Sequence, residues 1–222
     1  MAKTEFHLLR GFLFDLDGTL IDSKLDLVNS VNFMLREMRR ATLSLETIAG
    51  YIGHGAPRLV ADALGPEAGE SDRQQGLKIF LEHYEKHCLD TTRLYAGVRE
   101  GLQALRGYPM AVLSNKPTKM SLEILEALGL SRCFRVIYGG DSFSRKKPDP
   151  VGALAILRDL EIGASEAAMV GDSDVDMQTA RNAGMLAIGV TYGFGKEDPA
   201  ANPADFYVDS LEELAALTLR RT

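Results

Sequence analysis

Residues 11–23 read GFLFDLDGTLIDS, and the fold turns on how this stretch is read. Phe12, Leu13 and Phe14 form a short continuous apolar run. That is the pattern of a strand buried on both faces, although a buried helical segment shares it. The chain then changes character. Asp15 and Asp17 flank a single leucine, and Gly18 and Thr19 break the extension. In an extended chain, residues i and i+2 point to the same side. Two carboxylates that close are costly unless a cation sits between or beside them. An Asp/Gly turn that merely ends a strand has the same composition, so the flanking sequence must decide.

After Ser23, Leu27, Val31, Met34, Leu35 and Met38 fall on one face of a helix. Ser44 is the expected N-cap of a short helix through Ile48. YIGHGAP at 51–57 reads as a glycine-broken turn, followed by a helical run from Arg58 to Leu64. Ser71 or Asp72 caps a further helix carrying Leu77, Phe80, Leu81 and Tyr84. Residues 24 to about 90 therefore read as helices only. From Tyr95 onward helices and strands alternate. Helices are expected over 98–106, 118–128 (ended by Gly129), 150–160, 174–183 (stopped by Gly184) and 211–219. Strands are expected over 110–114, 135–138, 167–170, 185–190 and 205–208. This alternation predicts an α/β fold with a doubly wound parallel sheet, a Rossmann-like core built from residues 1–22 and 91–222. Residues 23–90 form a small inserted α-helical cap domain.

The bulk composition limits the partners. With 45% hydrophobic and 25% charged residues, the chain is an ordinary globular sequence. A net charge of -6 argues against nucleic-acid binding by phosphate neutralisation. The basic pairs Arg39–Arg40, Lys146–Lys147 and Arg220–Arg221 form no stripe. Cys88 and Cys133 make no CxxC pair and read as reduced thiols. No signal-peptide pattern and no membrane-length apolar run is present, so a cytoplasmic protein without a membrane partner is expected.

In a doubly wound sheet, ligands bind beyond the carboxyl ends of the strands. Those ends carry Asp15 and Asp17, then Ser114-Asn115-Lys116, then Gly171-Asp172 with Asp174 and Asp176 close behind; Lys146 and Lys147 follow another strand. Surplus carboxylate at one edge asks for a hard divalent cation, and Mg2+ is the default choice. A hydroxyl, an amide and a lysine beside it suit a phosphoryl group. Such a set can run nucleophilic attack by an aspartate on phosphorus, with a second carboxylate as acid and base.

These motifs resemble the haloacid dehalogenase superfamily of phosphohydrolases: DLDGTL at 15–20, Ser114-Asn115, Lys147 before Pro148, and GDSDVD at 171–176. The resemblance implies Asp15 as nucleophile and metal ligand, and Asp17 as general acid/base that also binds metal through its carbonyl. It implies Ser114 and Asn115 as phosphate partners, with Gly18 and Thr19 beside them, and Lys147 as the lysine joining phosphate and nucleophile. Asp172 is implied as the second metal ligand, with Asp176 in or just outside the metal shell. YIGHGAPRLV, LSNKPT, YGGDSFSRKKPDP and VTYGFG look like the phosphoglycolate phosphatase branch. That branch implies a small phosphorylated substrate, 2-phosphoglycolate, for a monomer or homodimer. Other small-molecule phosphatases, pyrophosphatases, phosphosugar mutases and a non-catalytic phospholigand-binding protein share much of the pattern. His54 and Arg58, in or next to the glycine turn, are candidate contacts to a substrate carboxylate or else simply solvated. His83 and His87 have metal-ligand spacing but sit among Glu and Lys, and read as a solvated face.

Overall fold

The computed structural model describes residues 6–195 and 202–219; Lys196 and the pair Arg220–Arg221 lie outside them. Strand β1 (Gly11–Phe14) occupies the middle of a six-stranded parallel sheet. Its neighbours are β4 (Met110–Leu113) and β6 (Ala167–Gly171). Beyond β4 lies β5 (Val136–Tyr138); beyond β6 lie β7 (Leu186–Val190) and β8 (Phe206–Val208). Phe12, Leu13 and Phe14 expose no surface at all. The alternation of a strand sends Phe12 and Phe14 into one apolar core and Leu13 into the other. Each such side chain, fully buried, contributes roughly 1.5–3 kcal/mol.

The two cores are covered by helices from opposite sides. Helices α5 (Val98–Ala104), α6 (Thr118–Ala127) and α9 (Leu211–Leu219) supply Leu102, Ile124, Leu211 and Leu214 to the core of Phe12 and Phe14. Helices α7 (Val151–Leu160) and α8 (Asp174–Ala183) supply Ile156, Leu157, Met177 and Ala180 to the core of Leu13. This is the doubly wound arrangement that the alternating pattern predicts.

Helices α1 (Lys24–Glu37), α2 (Leu45–Ala49), α3 (Ala56–Leu64) and α4 (Glu70–His87) intervene between β1 and α5. The helices α1, α3 and α4 pack on one another. Two short strands carry the chain into and out of this insertion: β2 (Ile21–Asp22) and β3 (Arg93–Leu94), paired antiparallel. Two-residue strands have no period and left no mark in the hydropathy pattern. Arg93 Nη2 lies 3.0 Å from Asp22 Oδ2 across the pair. Asp26, on the first turn of α1 and fully buried, accepts hydrogen bonds of 2.6–3.0 Å from the amides and hydroxyls of Thr91 and Thr92.

Several boundaries differ from the expected ones. Helix α4 begins at Glu70 after Gly69, not behind a Ser71 or Asp72 cap; Glu70 and Asp72 instead fill its first turn, where the helix dipole favours them. Helix α3 begins at Ala56, because Pro57 is tolerated in a first turn where no amide partner is needed. His83 and His87 are half-buried: their rings stack 4.3 Å apart, His83 lies 4.1 Å from Phe33, and His83 Nδ1 meets the Ser30 hydroxyl at 2.9 Å. Among the described residues, no helix is long and apolar enough to cross a membrane.

Candidate active site

Strand register brings the site together. Phe14 pairs with Val112 on one side and Val170 on the other. Asp15, Ser114 and Asp172 therefore leave the sheet within two residues of the same level. Asp15 is still on the ladder, its amide donating to the Val170 carbonyl at 2.9 Å. The chain then turns sharply: the amides of Thr19, Leu20 and Ile21 all donate to the Leu16 carbonyl. Gly18 sits in this turn at φ +85°, and a Cβ there would lie 2.1 Å from Asp172 Oδ2. Both backbone angle and space exclude any other residue.

Lys147 is the hub. Its Nζ lies 2.9 Å from Asp15 Oδ1 and 2.6 Å from Asp176 Oδ1, with the side chain 1% exposed. Lys146 is exposed. Asp15, Asp172 and Asp176 are all buried and can each offer an oxygen within 4.8 Å of the others. Asp172 Oδ2 accepts from the amides of Phe194 and Gly195 at 2.8 and 2.9 Å; the Thr19 hydroxyl makes a long 3.4 Å contact to Oδ1. Asp176 Oδ2 accepts from the Ser173 hydroxyl at 2.6 Å.

Burial, then the charge of Asp176, pushes the Asp15 carboxyl up to about 7; Lys147 works against the rise. Burial and Asp176 likewise push Asp172 up to about 7, against the pull of the Gly195 and Phe194 amides. Burial alone would discharge Lys147, but Asp15 and Asp176 outweigh it and hold the ammonium above its usual range. Three buried carboxylates thus share one ammonium. Ionised carboxylates are acceptors only, and a set short of positive charge fits a hard divalent cation with oxygen ligands.

Asp17 stands apart from that cluster. Its two oxygens lie 2.9 and 3.0 Å from Lys116 Nζ, and the Ser23 hydroxyl donates to Oδ1. The same Nζ meets the hydroxyl of Tyr84, from α4, at 2.6 Å and lies 4.5 Å from the centre of its ring. The sequence places Lys116 at a strand end and Tyr84 on a helix face but assigns neither a role in the site. Lys116 directly follows Ser114-Asn115 at a strand end, which was the available signal; Tyr84 reads as one more apolar position on a helix face.

The remaining expected residues divide. Ser114 lines the cavity beside Asp15 and Asp17, its hydroxyl accepting from the Lys116 amide at 3.3 Å. Asn115 also lines it, but Nδ2 donates to the carbonyls of Gly53 and Lys147, at 3.0 and 3.1 Å. Its amide hydrogens are thus spent on backbone rather than free for phosphate, and Oδ1 is buried without a partner. Gly18 and Thr19, expected to contact phosphate, have their amides bonded inside the turn. Gly53 and Gly55 line the cavity, but His54 between them is exposed. Arg58 is turned outward, its side chain 67% exposed and its Nε 2.8 Å from Asp62 one turn along α3. The structure does not bring His54 or Arg58 to the site.

The comparisons with known proteins agree with this geometry. The chain is 41% identical over 212 residues to a phosphoglycolate phosphatase of Pseudomonas savastanoi pv. phaseolicola (strain 1448A / Race 6), covering 91% of this chain and 77% of that protein. A phosphoglycolate phosphatase of Vibrio parahaemolyticus serotype O3:K6 is 38% identical over 211 residues, covering 90% and 92%. The crystal structure of a predicted phosphoglycolate phosphatase from Haemophilus somnus 129pt superposes with a TM-score of 0.87 at 30% identity, covering 95% of this chain and 98% of that one. A family model of haloacid dehalogenase-like hydrolases matches residues 12–190, which takes in all four acidic, hydroxyl and lysine motifs, and the chain belongs to that family.

Proposed function

We propose that this phosphatase hydrolyses 2-phosphoglycolate with Mg2+ through an aspartyl-phosphate on Asp15. The observation that supports it most is the Lys147 hub, which holds Asp15 and Asp176 together at one end of a buried acidic cluster. Asp15, Asp172 and Asp176 would hold the cation, with the Asp17 carbonyl as a further oxygen. When bound, the cation supplies charge that offsets repulsion between Asp15 and the incoming phosphate and orients in-line transfer.

Asp15 Oδ attacks phosphorus, the bond from phosphorus to the ester oxygen breaks, and Asp17 gives its proton to the departing alkoxide. Asp17, now a carboxylate, takes a proton from water. The resulting hydroxide attacks the same phosphorus, the bond to Asp15 breaks, and phosphate leaves with both aspartates restored. Ser114 hydroxyl and Lys147 ammonium bind the phosphoryl oxygens. The helical insertion, as a cap over the cavity, excludes water from the first step. The substrate assignment rests on the relatives' names.

The test is phosphate release from 2-phosphoglycolate, pyrophosphate, sugar phosphates and nucleotides, with Mg2+ and with chelator. The expected result is the highest kcat/KM for 2-phosphoglycolate, lost with chelator. Activity centred on another ester overturns the substrate; no release from any ester overturns the reaction.

A further inference from the structure

The cavity beside Asp15 and Asp17 has a mixed lining. Part of its lining is polar: the two aspartates, Ser114, Asn115 and Lys116. The rest is formed by apolar side chains such as Leu27, Leu59, Phe80 and Met120. Among the described residues that line it, Lys116 is the only cation. Lys147 faces the carboxylates on the other side of Asp15, and Arg58 is paired with Asp62 on the surface. A negative charge on a leaving group is costly in such a cavity unless a cation meets it, and Lys116 is the cation of the lining; Lys146, an exposed residue, has its Nζ 3.4 Å from where a Cβ on Gly55 would lie, at the glycine-turn edge.

Lys116 is built for this. Its side chain is 3% exposed, so water does not compete for the ammonium. Its present partners are Asp17 and the Tyr84 hydroxyl. Asp17 also has the Ser23 hydroxyl, so it keeps a hydrogen-bond donor if the ammonium turns away. The ammonium thus occupies both oxygens of Asp17, at 2.9 and 3.0 Å.

We propose that Lys116 is the specificity-determining residue for a carboxylate on the leaving group, exchanging its pairing with Asp17 for one with the substrate and so freeing Asp17 for proton transfer. Recognition and acid–base chemistry are then coupled through one ammonium. Esters with no anion in the leaving group leave Lys116 on Asp17 and are turned over slowly. Tyr84 holds the ammonium from the insertion side in either pairing. The inference rests on the reading of the site as a phosphoester hydrolase.

The experiment compares 2-phosphoglycolate with 2-hydroxyethyl phosphate, which replaces the carboxylate by a neutral hydroxymethyl at the same length. Wild type is expected to prefer the carboxylate ester in kcat/KM. In Lys116→Met and Lys116→Gln that preference should shrink by about 10- to 100-fold, the size of one charge-assisted hydrogen bond. The ratio of the two esters is unaffected by partial loss of folded protein. Equal losses on both esters would mean that Lys116 only supports Asp17, and would overturn the inference. So would a wild type that hydrolyses both esters alike, although the phosphatase reading would survive. A second arm needs no turnover: calorimetric affinity of D15N and D15N/K116M for the two esters. If wild type hydrolyses nothing, the proposed reaction fails, and the inference stands or falls on whether K116M removes a binding preference for the carboxylate ester.

Discussion

Asp15, the proposed nucleophile, sits where a carboxylate is unfavourable. Its carboxyl is buried beside Asp176 and is pushed up to about 7, so the folded protein pays for it when it is ionised. Asp15→Asn should cut kcat by about 10^4-fold or more, the scale of losing a nucleophile. In chelator at about pH 8 the same variant should unfold at an equal or higher Tm, because one buried like charge has gone. A clear loss of Tm would mean that the Lys147–Asp15 pair is net stabilising. Asp15 and Asp172 also set a pH dependence. Both folded values lie above the unfolded carboxyl value. The folded metal-free chain thus holds more protons than the unfolded chain between roughly pH 4 and 7, and these groups' stabilisation is lost as pH rises through that window. Divalent cations need the ionised forms. The gain in Tm from added Mg2+ should therefore be small at about pH 5.5 and large at about pH 8, read by thermal scanning with and without chelator. Much of this site was legible, because Asp15, Asp17, Asp172 and Lys147 sit in short motifs at strand ends. For Asn115 the residue type shows that a side-chain amide can donate, not that its hydrogens serve the carbonyls of Gly53 and Lys147.

At the scale of elements, the entry and exit of the helical insertion are fastened by Asp26. Asp26→Ala would remove a buried carboxylate that accepts from two amides and two hydroxyls, and leave those donors without it. A loss of about 3 kcal/mol is expected, measured by urea unfolding. By contrast, the Lys119–Glu85 pair between α6 and α4 is well exposed, and Glu85→Ala should change stability by less than about 1 kcal/mol. Helices with a clean apolar stripe, α1 and α8, were legible to within a residue or two. The β2–β3 pair was not, because two residues cannot display a period and their pairing is decided by partners some 70 positions away. Arg58 illustrates a related limit: the helix containing it was foreseen, but the start at Ala56 sets which way the side chain faces.

For the whole molecule, protection should follow the sheet. β1, β4 and β6 are buried throughout, hydrogen-bonded on both sides, and should exchange amide hydrogens only on global unfolding. The segment 44–55, with the short helix α2 and the glycine turn, has few such restraints and should exchange much faster. Exchange measured by mass spectrometry on peptides covering 11–14, 110–113, 167–171 and 44–55 tests this; equal protection of 44–55 would count against the ranking. Fold class was readable because alternating helices and strands admit few connections, and the doubly wound parallel sheet follows from them. The docking of the insertion was not, since it depends on contacts such as Tyr84 with Lys116 that join distant parts of the chain.

The central place of β1 also has a consequence in time. Phe12 pairs with Met110 and with Ala168, so β1 is flanked by strands made far later. At about 5–20 residues per second, roughly 8 to 30 s separate the synthesis of the two sides of that last pairing. Throughout this interval GFLF is a fully apolar segment with an open edge, the kind that invites pairing with other chains. The four helices of the insertion are complete well before then. During synthesis the burden therefore falls on chaperones and on a helical segment that forms early, while the strand carrying Asp15 waits for its second neighbour.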